Sequence, residues 1–75
     1  MTPRQSDVFT AIDLFWKKHG HSPSIDEIMM MINCRSRSNV SRMISQLCDL
    51  GILKKLPNRR RTVRPSYVNF RNMND

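Results

Sequence analysis

One spacing is repeated three times along this chain. Apolar residues recur at i, i+3, i+4 and i+7 over Val8, Ala11, Ile12 and Phe15, then over Ile25, Ile28, Met29 and Ile32, and again over Val40, Met43, Ile44 and Leu47. On a helix each such set falls on one face. The chain therefore reads as three amphipathic helices, with Phe9 and Trp16 widening the first stripe. Each stripe follows a start signal. Thr2 and Ser24 are N-cap residues with Gln5 and Glu27 three places on, the reciprocal partners of a capping box. Pro3 suits the first helical position, Asp26 and Glu27 suit the positive end of a helix dipole, and Ser36 caps the third helix. The stops are as explicit: Gly20 and Gly51 readily turn left-handed, and Asn33 tolerates a positive φ.

After Gly51 the period changes. "ILKKL" and "RTVRP" are short β-prone runs separated by Pro57-Asn58 and an arginine cluster, which predicts a hairpin with a basic tip. Lys54, Lys55, Arg59, Arg60, Arg61 and Arg64 are expected to gather around that turn. The fold class that follows is mainly α with a small β-hairpin, a winged helix-turn-helix of three helices and a two-stranded antiparallel wing. It occupies residues 1–65, and residues 66–75 form a C-terminal tail.

Length and composition exclude several classes of function. With 75 residues the chain has room for one domain, near the lower limit for folding without staples. No run of about 18 apolar residues is present to span a membrane. The polar start "MTPRQSD" lacks the apolar region of a secretory signal. Cys34 and Cys48 are far apart and form no CxxC, so reduced packing cysteines and a cytoplasmic location are expected. His19 and His21 read as loop residues and not as a metal site. With two glycines and six acids, no phosphate-cradling loop, carboxylate pair or nucleophile–base pair can be assembled. We expect no enzyme, no metal and no cofactor.

Charge is the positive signal. The net charge is +7, and it is unevenly placed: residues 1–34 carry three basic and four acidic side chains, whereas residues 35–71 carry ten basic side chains and one acid, Asp49. So basic a half repels itself unless a polyanion compensates. Within it, "RSRSNVSRMISQL" (residues 35–47) sets the third apolar stripe against an arc of Ser38, Asn39, Ser41, Arg42, Ser45 and Gln46. A helix fits the major groove, where arginine reads guanine O6/N7 and asparagine or glutamine reads adenine N6/N7. Arg35 and Arg37 flank the helix start, where backbone N–H groups already favour a phosphate. A merely solvated face would mix glutamate with lysine; this one has no acid between Glu27 and Asp49.

These residues resemble the winged helix-turn-helix DNA-binding domain of LexA-type repressors. Residues 2–64 follow its pattern without a gap, through Thr2, Arg4-Gln5, Val8-Phe9, Ile12, Gly20, Pro23, Glu27-Ile28, Arg35-Ser36, Leu47, Gly51-Ile52-Leu53, Arg61 and Arg64. The resemblance implies a sequence-specific double-stranded DNA-binding repressor of a bacterium, phage or plasmid. The family's base-reading residues fall on Ser36, Ser38, Asn39, Ser41 and Arg42, while Arg35, Arg37, Lys54, Lys55, Arg59, Arg60 and Arg61 are left for the DNA backbone. This face departs from the family's: Arg37 replaces a proline, the asparagine comes one place later as Asn39, and two glutamates become Ser41 and Arg42. A different operator is expected. The chain stops where the family's linker and serine–lysine protease domain would follow, so self-cleavage and dimerisation through that domain are not expected.

Two other functional classes fit the composition. One is a small inhibitor or adaptor that binds a protein through a winged-helix surface; the other is a non-specific nucleic-acid accessory protein. The outward Met30 and Met31 could form a protein-partner patch; the favoured expectation is that the C-terminal tail, through Tyr67 or Phe70, folds back over them. A weak homodimer on DNA is also expected.

Overall fold

The computed structural model describes residues 1–55 and 63–67. Three helices come first: α1 (Pro3–His19), α2 (Ile25–Met31) and α3 (Arg37–Asp49). Two short strands follow, β1 (Leu53–Lys54) and β2 (Arg64–Pro65). This is a winged helix, mainly helical, with a two-stranded antiparallel sheet.

The helix starts are those the sequence predicts. In α1 the Gln5 N–H donates to Thr2 Oγ1 at 3.1 Å and the Thr2 N–H donates to Gln5 Oε1 at 3.0 Å. In α2 the Glu27 N–H donates to Ser24 Oγ at 3.1 Å, and the Ser24 N–H to Glu27 Oε1 at 2.8 Å. Each box satisfies two backbone N–H groups that the helix itself leaves without partners. The α3 cap is one-sided: the Asn39 N–H donates to Ser36 Oγ at 3.3 Å.

The ends of α2 and α3 share one device. After α2, the Asn33 N–H reaches Met30 O at 3.3 Å and the Cys34 N–H reaches Met29 O at 2.9 Å. After α3, the Gly51 N–H reaches Cys48 O at 3.0 Å and the Ile52 N–H reaches Leu47 O at 3.0 Å. Both are Schellman motifs, which require a left-handed residue at the reversal. Asn33 has φ 55° and Gly51 has φ 78°. The first motif is the turn between α2 and α3. It folds Cys34 back against the core before Arg35 and Ser36 lead into α3.

The three stripes meet in one core. Val8, Ala11, Ile12, Ile28, Val40, Ile44, Leu47, Leu53 and Val63 are buried together, and Phe9, Trp16, Ile25, Met29, Ile32 and Met43 pack around them half-buried. Cys34 and Cys48 also border this core. Burial holds the Cys48 thiol above its ordinary pKa, with Lys55 opposing and Asp49 adding to the rise. A thiol kept protonated is a packing group and a poor nucleophile.

Among the described residues of the wing, Arg64 differs from expectation. Leu53 pairs with Pro65 and Lys54 with Arg64. Arg64 does not join a basic tip: it is 3% exposed, and its Nη1 donates to Pro65 O at 3.4 Å. Val63 and Pro65 on either side are buried too, because β2 is packed against α1 as well as β1. The alternation that would turn Arg64 outward applies only to a sheet with one wet face. Burial also draws its guanidinium pKa down.

Tyr67 gives a second difference. It does not cover Met30 and Met31; its hydroxyl donates to the Asp13 carboxylate on α1, and both methionines stay exposed. Phe70, the other residue considered for that role, lies outside the described residues. One residue earlier, the Ser66 N–H donates to Ile52 O at 3.0 Å, which ties the exit of β2 to the entry of β1.

Candidate nucleic-acid interface

α3 has a sharply divided surface. On its back Val40, Ile44 and Leu47 are 0%, 6% and 0% exposed. On its front Ser38, Asn39, Ser41, Arg42, Ser45 and Gln46 are all exposed. The back is clamped by α1, α2 and β1, so the front is a row of short polar groups and one long cation on a rigid support. Arg37, Ser38, Ser41, Arg42 and Ser45 also line one side of an open groove of about 600 Å³, which Ile25 of α2 closes from the other side.

Not every side chain in the row is uncommitted. The Gln46 Oε1 accepts from Gln5 Nε2 at 2.9 Å. Gln5 is the capping-box residue of α1, so this bond ties the start of α1 to the last turns of α3. Helical spacing does not announce that tie. A signal was nonetheless present, since a capping-box glutamine uses its oxygen and leaves its amide nitrogen to donate elsewhere. Ser36 is half-buried, and its hydroxyl oxygen is engaged with the Asn39 N–H. Arg37 is directed to Asp26 at the start of α2, an ion pair in which both side chains are well exposed. Exposed pairs of this kind contribute little net stability, so an incoming phosphate can exchange for Asp26.

Arg35, Lys54 and Lys55 are exposed, Arg35 just before α3 and the two lysines along and after β1. Arg59, Arg60 and Arg61 lie outside the described residues. The wing is fixed in a way the sequence did not disclose. Trp16 on α1 donates its indole N–H to the Val63 carbonyl at 2.9 Å. Periodicity identifies Trp16 only as part of an apolar face. The polar edge of an indole usually finds an acceptor when buried, but the acceptor here lies 47 residues away in sequence.

At the other end of α1 the two histidines have a packing role. His19 and His21 lie 4.3 and 5.1 Å from the Phe15 ring, measured between centroids. Among the described residues, no three metal-ligating side chains come together, and no helix is long and apolar enough to cross a membrane.

A three-helix unit with a basic, acid-free front on its third helix and a wing beside it defines a winged helix-turn-helix DNA-binding domain. Residues 1–62 match the family described as the LexA DNA binding domain, and the chain belongs to that family. It is also 35% identical over 63 residues to the LexA repressor of Novosphingobium aromaticivorans, a match that takes in 84% of this chain. The chain spans 27% of the length of that curated relative.

Proposed function

We propose that this protein is a sequence-specific transcriptional repressor that acts on duplex DNA in the cytoplasm. In this reading α3 enters the major groove. Ser36, Ser38, Asn39, Ser41 and Arg42 face base edges, with Asn39 and Arg42 the main readers. Arg35, Arg37, Lys54, Lys55, Arg59, Arg60 and Arg61 hold phosphates. The observation that carries the reading is the divided surface of α3, an exposed polar front on an apolar back buried at Val40, Ile44 and Leu47. The front differs from the family pattern at its reading positions, so the operator differs as well.

A single helix reads too few base pairs to stand out among genomic competitors. Two copies on a pseudo-palindromic site are therefore expected, as a weak homodimer that becomes cooperative on DNA. Met30 and Met31, which play no part in this DNA contact, are left to a protein partner.

The test is binding selection from a random duplex library, followed by affinity measured against salt. We expect one preferred site. If about five cations meet phosphates, the log–log salt slope is about −4 to −5. A flat salt response overturns DNA binding. A steep slope without a preferred site identifies a non-specific accessory protein instead.

A further inference from the structure

We propose that the α1–α2 face is a docking groove for an acidic amphipathic helix of another protein. This deepens the partner reading of Met30 and Met31 and stands apart from DNA binding. Three large apolar side chains remain exposed side by side there: Leu14 at 53%, Met30 at 83% and Met31 at 45%. They line an open groove of about 710 Å³. A second groove of about 390 Å³ adjoins it, sharing Leu14 and Met31. No residue of α3 or of the strands lines either one. The apolar strip is therefore continuous and leaves the DNA-facing front free. Its methionines are flexible and polarisable, a property suited to gripping an apolar helix face.

Charge selects the occupant. The end of the larger groove is formed by Lys17, Lys18 and His19, all exposed. Lys17 pairs with Asp13 at 3.1 Å, whereas Lys18 has no ion-pair partner among the described residues. The acids of the two linings are both engaged: Glu27 in the larger accepts from the Ser24 N–H at 2.8 Å, and Asp7 in the smaller pairs with Arg4 at 3.4 Å. A second copy of this chain would set the same two lysines against themselves in an isologous contact and would add another +7 of net charge. Duplex DNA would meet the lysines but leave Leu14, Met30 and Met31 without apolar partners. An apolar stripe bordered by glutamates satisfies both halves of the groove.

The experiment follows the methionine methyl signals of the protein by NMR while two short synthetic helical peptides are added. Both carry leucine at i, i+3, i+4 and i+7; one has glutamates beside the stripe and the other has lysines. We expect saturable shifts of Met30 and Met31 with the glutamate peptide, at least about tenfold tighter than with the lysine peptide. Met30→Ser should weaken that binding, and Lys17→Glu with Lys18→Glu should reverse the preference, both without altering the DNA site selected. Equal affinity for the two peptides overturns the proposal, as does the absence of shifts with either. Methyl shifts that track protein concentration alone would assign the groove to a second copy, and shifts caused by duplex DNA alone would assign it to nucleic acid; each also overturns it. Because no DNA is present in the peptide titration, failure of the repressor reading leaves its outcome unchanged.

Discussion

α3 and β2 are both part of the family's DNA-binding fold, both carry arginine, and both contribute to the same core. They are fixed by opposite means. α3 has its own cap, its own Schellman stop and an apolar back repeated over three turns, so its sequence alone specifies which side faces out. β2 is two residues long. It is held by Leu53 and Lys54 across the sheet, by the Trp16 indole on its approach at Val63, and by the Ser66–Ile52 bond at its exit. A charged residue in the helix therefore goes where periodicity sends it, and Arg42 is exposed. A charged residue in the strand goes where its neighbours leave room, and Arg64 is buried.

The contrast is broken most forcefully from beneath α3. Leu47 is fully buried at the centre of its back, so Leu47→Ala should cost about 2–5 kcal/mol of stability, measured by urea unfolding. A much smaller loss would mean that the stripe does not set the helix.

The front of α3 comes next. Arg42→Ala should relax preference at one operator position, at a cost of about 1–3 kcal/mol there. Lys54→Ala on the wing should weaken all sequences equally and reduce the salt slope by about 0.9. Gln46→Ala should leave the selected site unchanged, because its amide is turned to Gln5. If Gln46→Ala changes base preference, the tether is released on DNA and Gln46 is a reader.

For the wing, Trp16→Phe keeps most of the apolar surface and removes one donor. A loss of about 0.5–1.5 kcal/mol is expected. Hydrogen exchange should quicken at the Ser66 amide, while the α3 amides keep their protection. Uniform quickening would show that wing and helix unfold as one unit.

The smallest effect is at the Asp13–Tyr67 contact. The Tyr67 hydroxyl holds the Asp13 carboxyl below its ordinary pKa of 3.8; burial opposes this, and Lys17 assists it. A carboxylate with a lowered folded-state pKa contributes stability that is complete above the ordinary value and is lost as pH falls through the lowered one. Acid unfolding of Tyr67→Phe should accordingly show a shallower dependence below pH 3.8. The same bond keeps the phenol protonated above its ordinary 10.0. Identical acid profiles for variant and parent would remove Tyr67 as the cause.

These cases explain what the sequence disclosed. Caps, stops and stripes are local, so Thr2, Ser24, Ser36, Asn33, Gly20 and Gly51 announce their roles within a few residues of where they act. The exposed front of α3 was legible for the same reason. Arg64, Tyr67, Trp16 and Gln46 were not, because their partners lie across the fold. Burial of Arg64 depends on α1 covering β2, and the placement of Tyr67 depends on Asp13 lying within its reach. Alternation and composition carry no information about either.

The Gln5–Gln46 bond has a practical consequence for anyone fusing this domain to another protein. Gln5 closes the capping box with the Thr2 backbone and at the same time reaches Gln46 of α3. The first turn of α1 is thus hydrogen-bonded to the last turn of α3. A tag or partner domain joined directly to Met1 would pull on the Thr2 cap of that turn, so stability lost in such a fusion would reflect the attachment point. A linker long enough to leave Thr2 free to cap should restore it.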